Sequence, residues 1–148
     1  MIRIEHCQSV TQPGWLELRQ ALWPGSSRQA HADEVSDLLA DRQRYINLIA
    51  YSESGTPAGL AEASLRTGYV NGTESSPVVF LEGIYVTPEC RRQHIAGQLI
   101  DVVAQWGRSH GCTEMASDTD LNNLLSQDMH KALGFAETER VVFFKRGL

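Results

Sequence analysis

At 148 residues the chain is long enough for one domain, spanning residues 1–148, that buries roughly two-thirds of its unfolded surface without a covalent staple. Eighteen acidic against thirteen basic residues give a formal net charge of −5, which argues against a general nucleic-acid binder and is compatible with a cationic ligand. Cys7, Cys90 and Cys112 are odd in number and show neither C-x-x-C nor zinc spacing, so no disulfide framework and no metal is expected and a reduced, cytoplasmic setting fits. The N-terminus lacks a hydrophobic signal core and no run approaches about 20 apolar residues, so neither secretion nor membrane contact is expected.

Met1 to Cys7 alternates as a strand does, and Thr11 to Trp23 carries Trp15, Leu18 and Leu22 at helical spacing before Pro24-Gly25-Ser26-Ser27 stops it. Arg28 to Asp41 predicts a second helix. Tyr45 to Tyr51 and Pro57 to Arg66 read as strands paired across the Glu53-Ser54-Gly55-Thr56 turn. A loop from Thr67 to Pro77, rich in Gly, Ser, Asn and Thr, leads into the strand Val78 to Val86, whose continuous apolar character implies burial on both faces. Arg91 to Ser109 predicts a third helix with Ile95, Leu99, Val102, Val103 and Trp106 on its inner side, stopped near Gly111. Thr113 to Ser117 is a short strand, Asn122 to Leu133 a helix, and Glu139 to Lys145 a last strand. The order β-α-α-β-β-β-α-β-α-β implies an α+β fold, with a mixed sheet flanked by helices.

The junction Ile84-Tyr85-Val86-Thr87-Pro88-Glu89-Cys90-Arg91-Arg92 carries the sharpest signal. A strand that ends in a Pro-containing turn and runs at once into a helix aims several backbone N–H groups at one spot, where an anion such as a pyrophosphate can be held. Within the strand, Gly83 marks a bulge or a close backbone approach. Glu82 beside it is most simply half of a salt bridge, but followed by this loop it reads as part of a ligand site.

The loop Arg91-Arg92-Gln93-His94-Ile95-Ala96 resembles motif A of the GCN5-related N-acetyltransferases, Arg/Gln-x-x-Gly-x-Gly/Ala, with His94 where that family usually has Gly. Either that position needs no positive φ here or the loop is altered. The resemblance implies the family fold, its central sheet mostly antiparallel, and acetyl-CoA as cosubstrate. It also implies main-chain contacts from Ile84, Tyr85 and Val86 to the acyl and pantetheine groups. Arg91, Arg92, Gln93, His94, Ile95, Ala96 and Gly97 would lie around the pyrophosphate. His130-Lys131-Ala132-Leu133-Gly134-Phe135 is similar to the family's closing helix, with His130 where a Tyr usually serves as acid toward the leaving thiolate. His130 is then either that acid or a structural histidine on an amphipathic helix.

Further segments are scattered over the chain. Trp23-Pro24-Gly25, Tyr69-Val70-Asn71-Gly72, Ser75 to Gly83, Met115 to Thr119 and Ala132 to Val141 resemble the chromosomal-type aminoglycoside 6'-N-acetyltransferases, which acetylate the 6'-amino group and give resistance. That resemblance implies aminoglycoside contacts from Trp23, Tyr69, Glu82, Asp118 and Glu139, a coenzyme contact from Asn123, and a homodimer. From the residues alone, Trp23 is equally a core residue ending a helix, Tyr69 a loop residue and Asp118 a turn cap, while Glu139 reads first as a solvated edge charge. Carboxylates around one cleft suit a polycation, and aromatic rings suit sugar faces or ammonium groups.

The expected chemistry is direct acetyl transfer in a ternary complex. Glu82 or Asp118 would orient the amine and accept its proton through water, strand N–H groups would hold the oxyanion, and no cysteine would be acylated. Two other readings stand beside it: an N-acetyltransferase for a peptide or polyamine, and an inactive acetyl-CoA-binding sensor.

Overall fold

The computed structural model describes residues 1–148 and places five strands side by side in chain order: β1 (Arg3–His6), β2 (Tyr45–Tyr51), β3 (Pro57–Arg66), β4 (Val78–Val86) and β5 (Met115–Ser117). Neighbours β1 to β4 pair antiparallel, whereas β5 pairs parallel to β4. A parallel neighbour needs a crossover, and α3 (Ile95–Ser109) supplies it.

Period-two alternation sorts the strand side chains onto two faces. On one face Ile46, Leu48 and Ala50 of β2 and Ala61 and Ala63 of β3 meet Ile95, Leu99 and Val103 of α3. On the other, Ile49, Tyr51 and Leu60 pack under Trp15 and Leu18 of α1 (Trp15–Leu22) and Val35 of α2 (Arg28–Leu39). Ser27 caps α2, its side chain accepting the N–H of Ala30 at 3.1 Å. A fourth helix, α4 (Leu124–Ala132), buries none of its residues fully. Met129 and Leu133, at its end, close over Leu81, Ile84 and Ile100.

The spans of β2, β3 and β4 are those expected from the sequence. Three expectations fail. The first helix begins at Trp15 rather than Thr11, because Gly14 (φ 84°) ahead of it is left-handed. The third helix begins at Ile95 rather than Arg91, because Arg92 (φ 65°) and His94 (φ 61°) are left-handed and cannot continue a right-handed helix. Pro88–Cys90 forms a single 3₁₀ turn ahead of them. The last strand expected over Glu139 to Lys145 does not form: these residues have no regular secondary structure and are exposed, with Phe143 and Phe144 at 83% and 92%. Strand character needs a paired edge as well as β-branched and aromatic residues, and within the single chain this segment pairs with no strand.

A charged cluster lies inside the α1/α2 face. Arg19 of α1 and Glu62 of β3 are 2% and 4% exposed and form an ion pair. Glu62 also accepts from the Trp15 indole N–H at 2.8 Å, and a second Arg19 nitrogen reaches Glu34. Arg19 Nε–H donates to His31 Nδ1 at 3.2 Å; since a guanidinium can only donate, His31 carries its proton on Nε2 and donates it to the Trp23 carbonyl at 3.1 Å. Burial pushes the Glu62 carboxyl up, and the Arg19 charge and the two donors pull against it.

Removing one member of such a pair strands the other without solvent. Arg19→Met is therefore expected to destabilise the fold by about 3–5 kcal/mol, read by urea unfolding, and Arg19→Met with Glu62→Leu to recover most of that loss. An Arg19→Met protein as stable as wild type rules this account out.

Candidate active site

The pairing of β3 with β4 slips at one point. Glu62 lies opposite Gly83 and Ala63 opposite Leu81, which leaves Glu82 as an extra residue, a β-bulge. The bulge turns Glu82 and Gly83 toward the same α1/α2 face despite their being consecutive. Glu82 accepts from Ser64 Oγ at 2.6 Å and from the Arg66 guanidinium at 2.9 and 3.1 Å, and Arg66 itself lies over the Phe80 ring, 3.6 Å from its centroid. At Gly83 an added Cβ would come within 2.7 Å of Trp23 Cη2 and 2.8 Å of Leu22 Cδ2, so the indole rests directly on the strand backbone. The Arg19 guanidinium also lies over that indole, 4.8 Å from the ring centroid.

These residues floor an open cleft of about 1250 Å³. Its walls are α2, the end of β3 and the loop carrying Tyr69, which is 78% exposed. Five carboxylates line it, from Glu34, Asp37, Asp41, Glu62 and Glu82, against the guanidinium groups of Arg19, Arg44 and Arg66. Glu34, Glu62 and Glu82 are paired, whereas no ion pair engages Asp37 or Asp41.

On the opposite edge of β4 the sheet opens. The β4–β5 register runs Val79↔Met115, Phe80↔Ala116, Leu81↔Ser117 and ends there, while β4 continues to Val86. Glu82 to Val86 therefore have β3 on one side and no strand on the other, which leaves a fork between β4 and β5 with Leu81 and Ser117 at its apex. Backbone N–H groups along an open strand edge are ready donors.

The open edge leads to the loop before α3. Arg91 Nε–H donates to the Val86 carbonyl at 3.0 Å, which fixes the turn, while Arg92, Gln93 and His94 are exposed. The first helical bond of α3 runs from Gln98 N–H to the His94 carbonyl, and no side chain caps the helix, so the N–H groups of Ile95, Ala96 and Gly97 have no helical acceptor. Gly97 has nothing within 4 Å of an added Cβ. His94 takes the left-handed conformation itself, so the loop keeps the geometry a Gly would give; His is among the residues that accept it, at a cost of about 1–2 kcal/mol.

The other expected site residues lie apart from the cleft. Asp118 follows β5, exposed, one residue beyond the fork apex. Asn123 spends its side chain as the cap of α4, accepting the Ser126 N–H at 3.1 Å. Glu139 is exposed and follows Thr138, whose Cβ would lie 2.8 Å from one added at Gly72 in the Tyr69 loop. His130 Nε2 lies 2.8 Å from Ser117 Oγ, and its ring meets Phe135 edge-on at 5.3 Å. No group of three or more His, Cys, Asp or Glu residues is arranged to hold a metal, and no helix is long and apolar enough to cross a membrane. Cys7 and Cys112 are buried, and burial pushes both thiols up, away from the reactive thiolate.

Residues 13–135 match the Acetyltransferase (GNAT) family. The chain belongs to that family. Acetyl-CoA binding goes with that family, and the splayed strands with the uncapped helix behind them offer an uncovered N–H row and open space at Gly97 of the kind that suits a pyrophosphate. The chain is 49% identical over 142 residues to aminoglycoside N(6')-acetyltransferase type 1 of Serratia marcescens, covering 96% of this chain and 97% of that one. It is 51% identical over 132 residues to the enzyme of the same name from Acinetobacter genomosp. 13, with 89% of each covered. Among solved structures, aminoglycoside antibiotic 6'-N-acetyltransferase AAC(6')-Ih from Acinetobacter baumannii superposes with a TM-score of 0.95 at 44% identity, covering 100% of this chain and 99% of that one. AAC(6')-Iy in complex with the bisubstrate analogue CoA-S-monomethyl-acetylneamine gives 0.92 at 44% identity, with 100% and 99% covered.

Of the expected substrate residues, Trp23, Tyr69 and Glu82 share the cleft, while Asp118 and Glu139 do not line it. Sequence reading missed Arg19, His31, Glu34, Asp37, Asp41, Arg66 and Ser117. One signal was present: Glu62 stands in Leu60-Ala61-Glu62-Ala63, an acid in an apolar strand that demands a buried partner. Gly83→Ala is expected to push Trp23 off the strand and raise the KM for the acetyl acceptor at least tenfold, with the acetyl-CoA KM changed less. Steady-state kinetics with each substrate varied in turn checks this, and an unchanged acceptor KM disproves it.

Proposed function

We propose that this chain transfers acetyl from acetyl-CoA to the 6'-amino group of aminoglycosides by direct attack in a ternary complex, and so gives resistance to them. The observation that carries this reading is the meeting at Glu82–Gly83 of two spaces, the acid-lined cleft and the open edge of β4. A polycation held in the first presents an amine to a thioester laid along the second. The names of the relatives support the same acceptor.

In this mechanism the main chain of Ile84, Tyr85 and Val86 holds the acyl and pantetheine groups and supplies the oxyanion donor. Arg91 to Gly97 surround the pyrophosphate, and Asn123, on α4, completes the coenzyme site. Trp23 and Tyr69 lie against the sugar rings, and Glu82, Asp118 and Glu139 bind ammonium groups. Because Ser64 and Arg66 already make three contacts to the Glu82 carboxylate, its part is charge and orientation, and Asp118, with no protein partner, accepts the amine proton through water. His130 serves as acid toward the departing thiolate. We place the protein in the cytoplasm, where acetyl-CoA is made and unpaired thiols such as Cys7, Cys90 and Cys112 persist.

A thiol-release assay with a kanamycin-like aminoglycoside, spermidine and an N-terminal peptide tests the acceptor. Turnover on the aminoglycoside, with kcat/KM falling tenfold or more in Glu82→Gln and in Asp118→Asn and falling with added salt, is the expected result. Preference for spermidine or the peptide makes the acceptor a different amine, and tight coenzyme binding without turnover makes the protein a sensor.

We further propose a homodimer. Val142, Phe143 and Phe144 are exposed next to charged Arg140 and Lys145, and β5 leaves one sheet edge without a strand. A second copy would cover both. Size-exclusion chromatography with light scattering should give a dimer that truncation after Thr138 converts to monomer; a monomer at every concentration eliminates the dimer.

A further inference from the structure

We propose that Ser117 is a catalytic residue that passes a proton from His130 to the departing thiolate. This rests on the reading that His130 is the acid of the reaction.

The position follows from the geometry of the fork. The coenzyme's pyrophosphate site is at the C-terminal end of β4 and the acceptor cleft is at Glu82, so the reacting carbon lies where the open edge of β4 begins. With one residue taken up by the bulge, the stretch from Val86 back to Leu81 matches four steps of β3, roughly 13 Å. Leu81 pairs with Ser117, the last pair before the strands part. Ser117 thus stands at the apex, between the reacting sulfur and α4, with its hydroxyl as the nearest polar side chain that His130 touches.

The hydrogen bonds fix the direction of transfer. His130 Nδ1 lies 2.7 Å from the Ser126 carbonyl, which can only accept, so Nδ1 carries a proton. Ser117 Oγ lies 2.8 Å from His130 Nε2 and 3.1 Å from the Leu81 carbonyl. A serine has one hydroxyl proton to donate. All three contacts are made at once only when Nε2 also carries a proton, donates to Ser117 Oγ, and leaves the Ser117 hydroxyl to donate to Leu81. In that arrangement the chain Ser126 C=O, His130, Ser117, Leu81 C=O is filled with protons and aimed at the fork. Phe135, edge-on to the ring, holds its orientation.

The step balances as follows. The neutral amine forms a C–N bond to the thioester carbon, and its surplus proton leaves to water. The C–S bond breaks with its electron pair on sulfur. Sulfur takes the Ser117 hydroxyl proton, Ser117 oxygen takes the Nε2 proton, and His130, left with Nδ1–H, regains a proton from solvent. No cysteine, metal or covalent enzyme intermediate enters.

The test is the single-turnover rate of acetyl transfer to kanamycin, across neutral and mildly basic pH, in Ser117→Ala, Ser117→Thr, His130→Gln and the double variant Ser117→Ala/His130→Gln, with steady-state KM values and thermal unfolding measured on each. Expected in Ser117→Ala is a loss of roughly ten- to hundredfold, KM values within about twofold of wild type, and the basic limb of the rate profile gone, as in His130→Gln. The double variant should be no slower than the slower single variant, and Ser117→Thr should restore most of the rate. If His130→Gln loses rate and basic limb while Ser117→Ala keeps both, His130 is the acid and the serine relay is wrong. Wild-type behaviour in both single variants overturns the relay and the acid assignment together. Rate lost in Ser117→Ala with the basic limb intact assigns Ser117 a structural part and also overturns the relay.

Discussion

Two strands held by parallel hydrogen bonds cannot part in mid-course unless the bonds that are given up have another destination. β4 leaves β5 after Leu81 and still runs to Val86, kept extended by β3 alone. The groups it frees are donors and acceptors of the kind a carbonyl and an amide-bearing arm can take, which is why the proposed coenzyme position lies along this edge. The bulge at Glu82 stands at the same height. It absorbs the change in twist where the partner is lost, and in doing so presents a carboxylate and a bare glycine backbone on the acceptor side. One irregularity of strand geometry thus sets up both halves of the site.

The cluster beneath Trp23 is the counterpart on the helical face. Arg19, Glu62 and His31 are almost wholly removed from water, which adds little net stability compared with well-packed apolar residues. What the cluster gives is position: the Trp23 carbonyl and ring are both engaged, by His31 and by Arg19. Trp23 ends α1, where a helix would otherwise fray, and it forms the floor of the cleft. Order at that spot comes from hydrogen bonds of fixed direction rather than from apolar contact, which tolerates sliding.

Much of this was legible in the amino-acid order. The bounds of β2, β3 and β4 follow from apolar runs closed by turn residues, and Glu82-Gly83 inside such a run announced the bulge and the close approach. Ser117 escaped notice because a serine at a strand end has no periodicity to betray it. Arg19 and Glu62 are 43 residues apart, and only the fold brings a helix-face arginine over an apolar strand. The left-handed turn at His94 escaped for another reason: a His is permitted but not required there, so its identity carries no signal. The last segment failed in the opposite sense. Its composition is that of a strand, but strand formation is a property of pairs, and one chain is not a pair.

The Arg66–Glu82 contact gives the cleft a preference that shape alone would not provide. A ligand that settles against Glu82 meets a carboxylate already held by Arg66 and Ser64, and to take the guanidinium's place it must displace Arg66. A hydroxyl-rich but uncharged sugar would exchange an ion pair for ordinary hydrogen bonds and leave Arg66 seeking an anion elsewhere, so it gains almost nothing by entering. An ammonium group keeps Glu82 in an ion pair after the exchange. For the acceptor proposed above, charge would therefore count before contour, and neutral sugars would be at a disadvantage at Glu82.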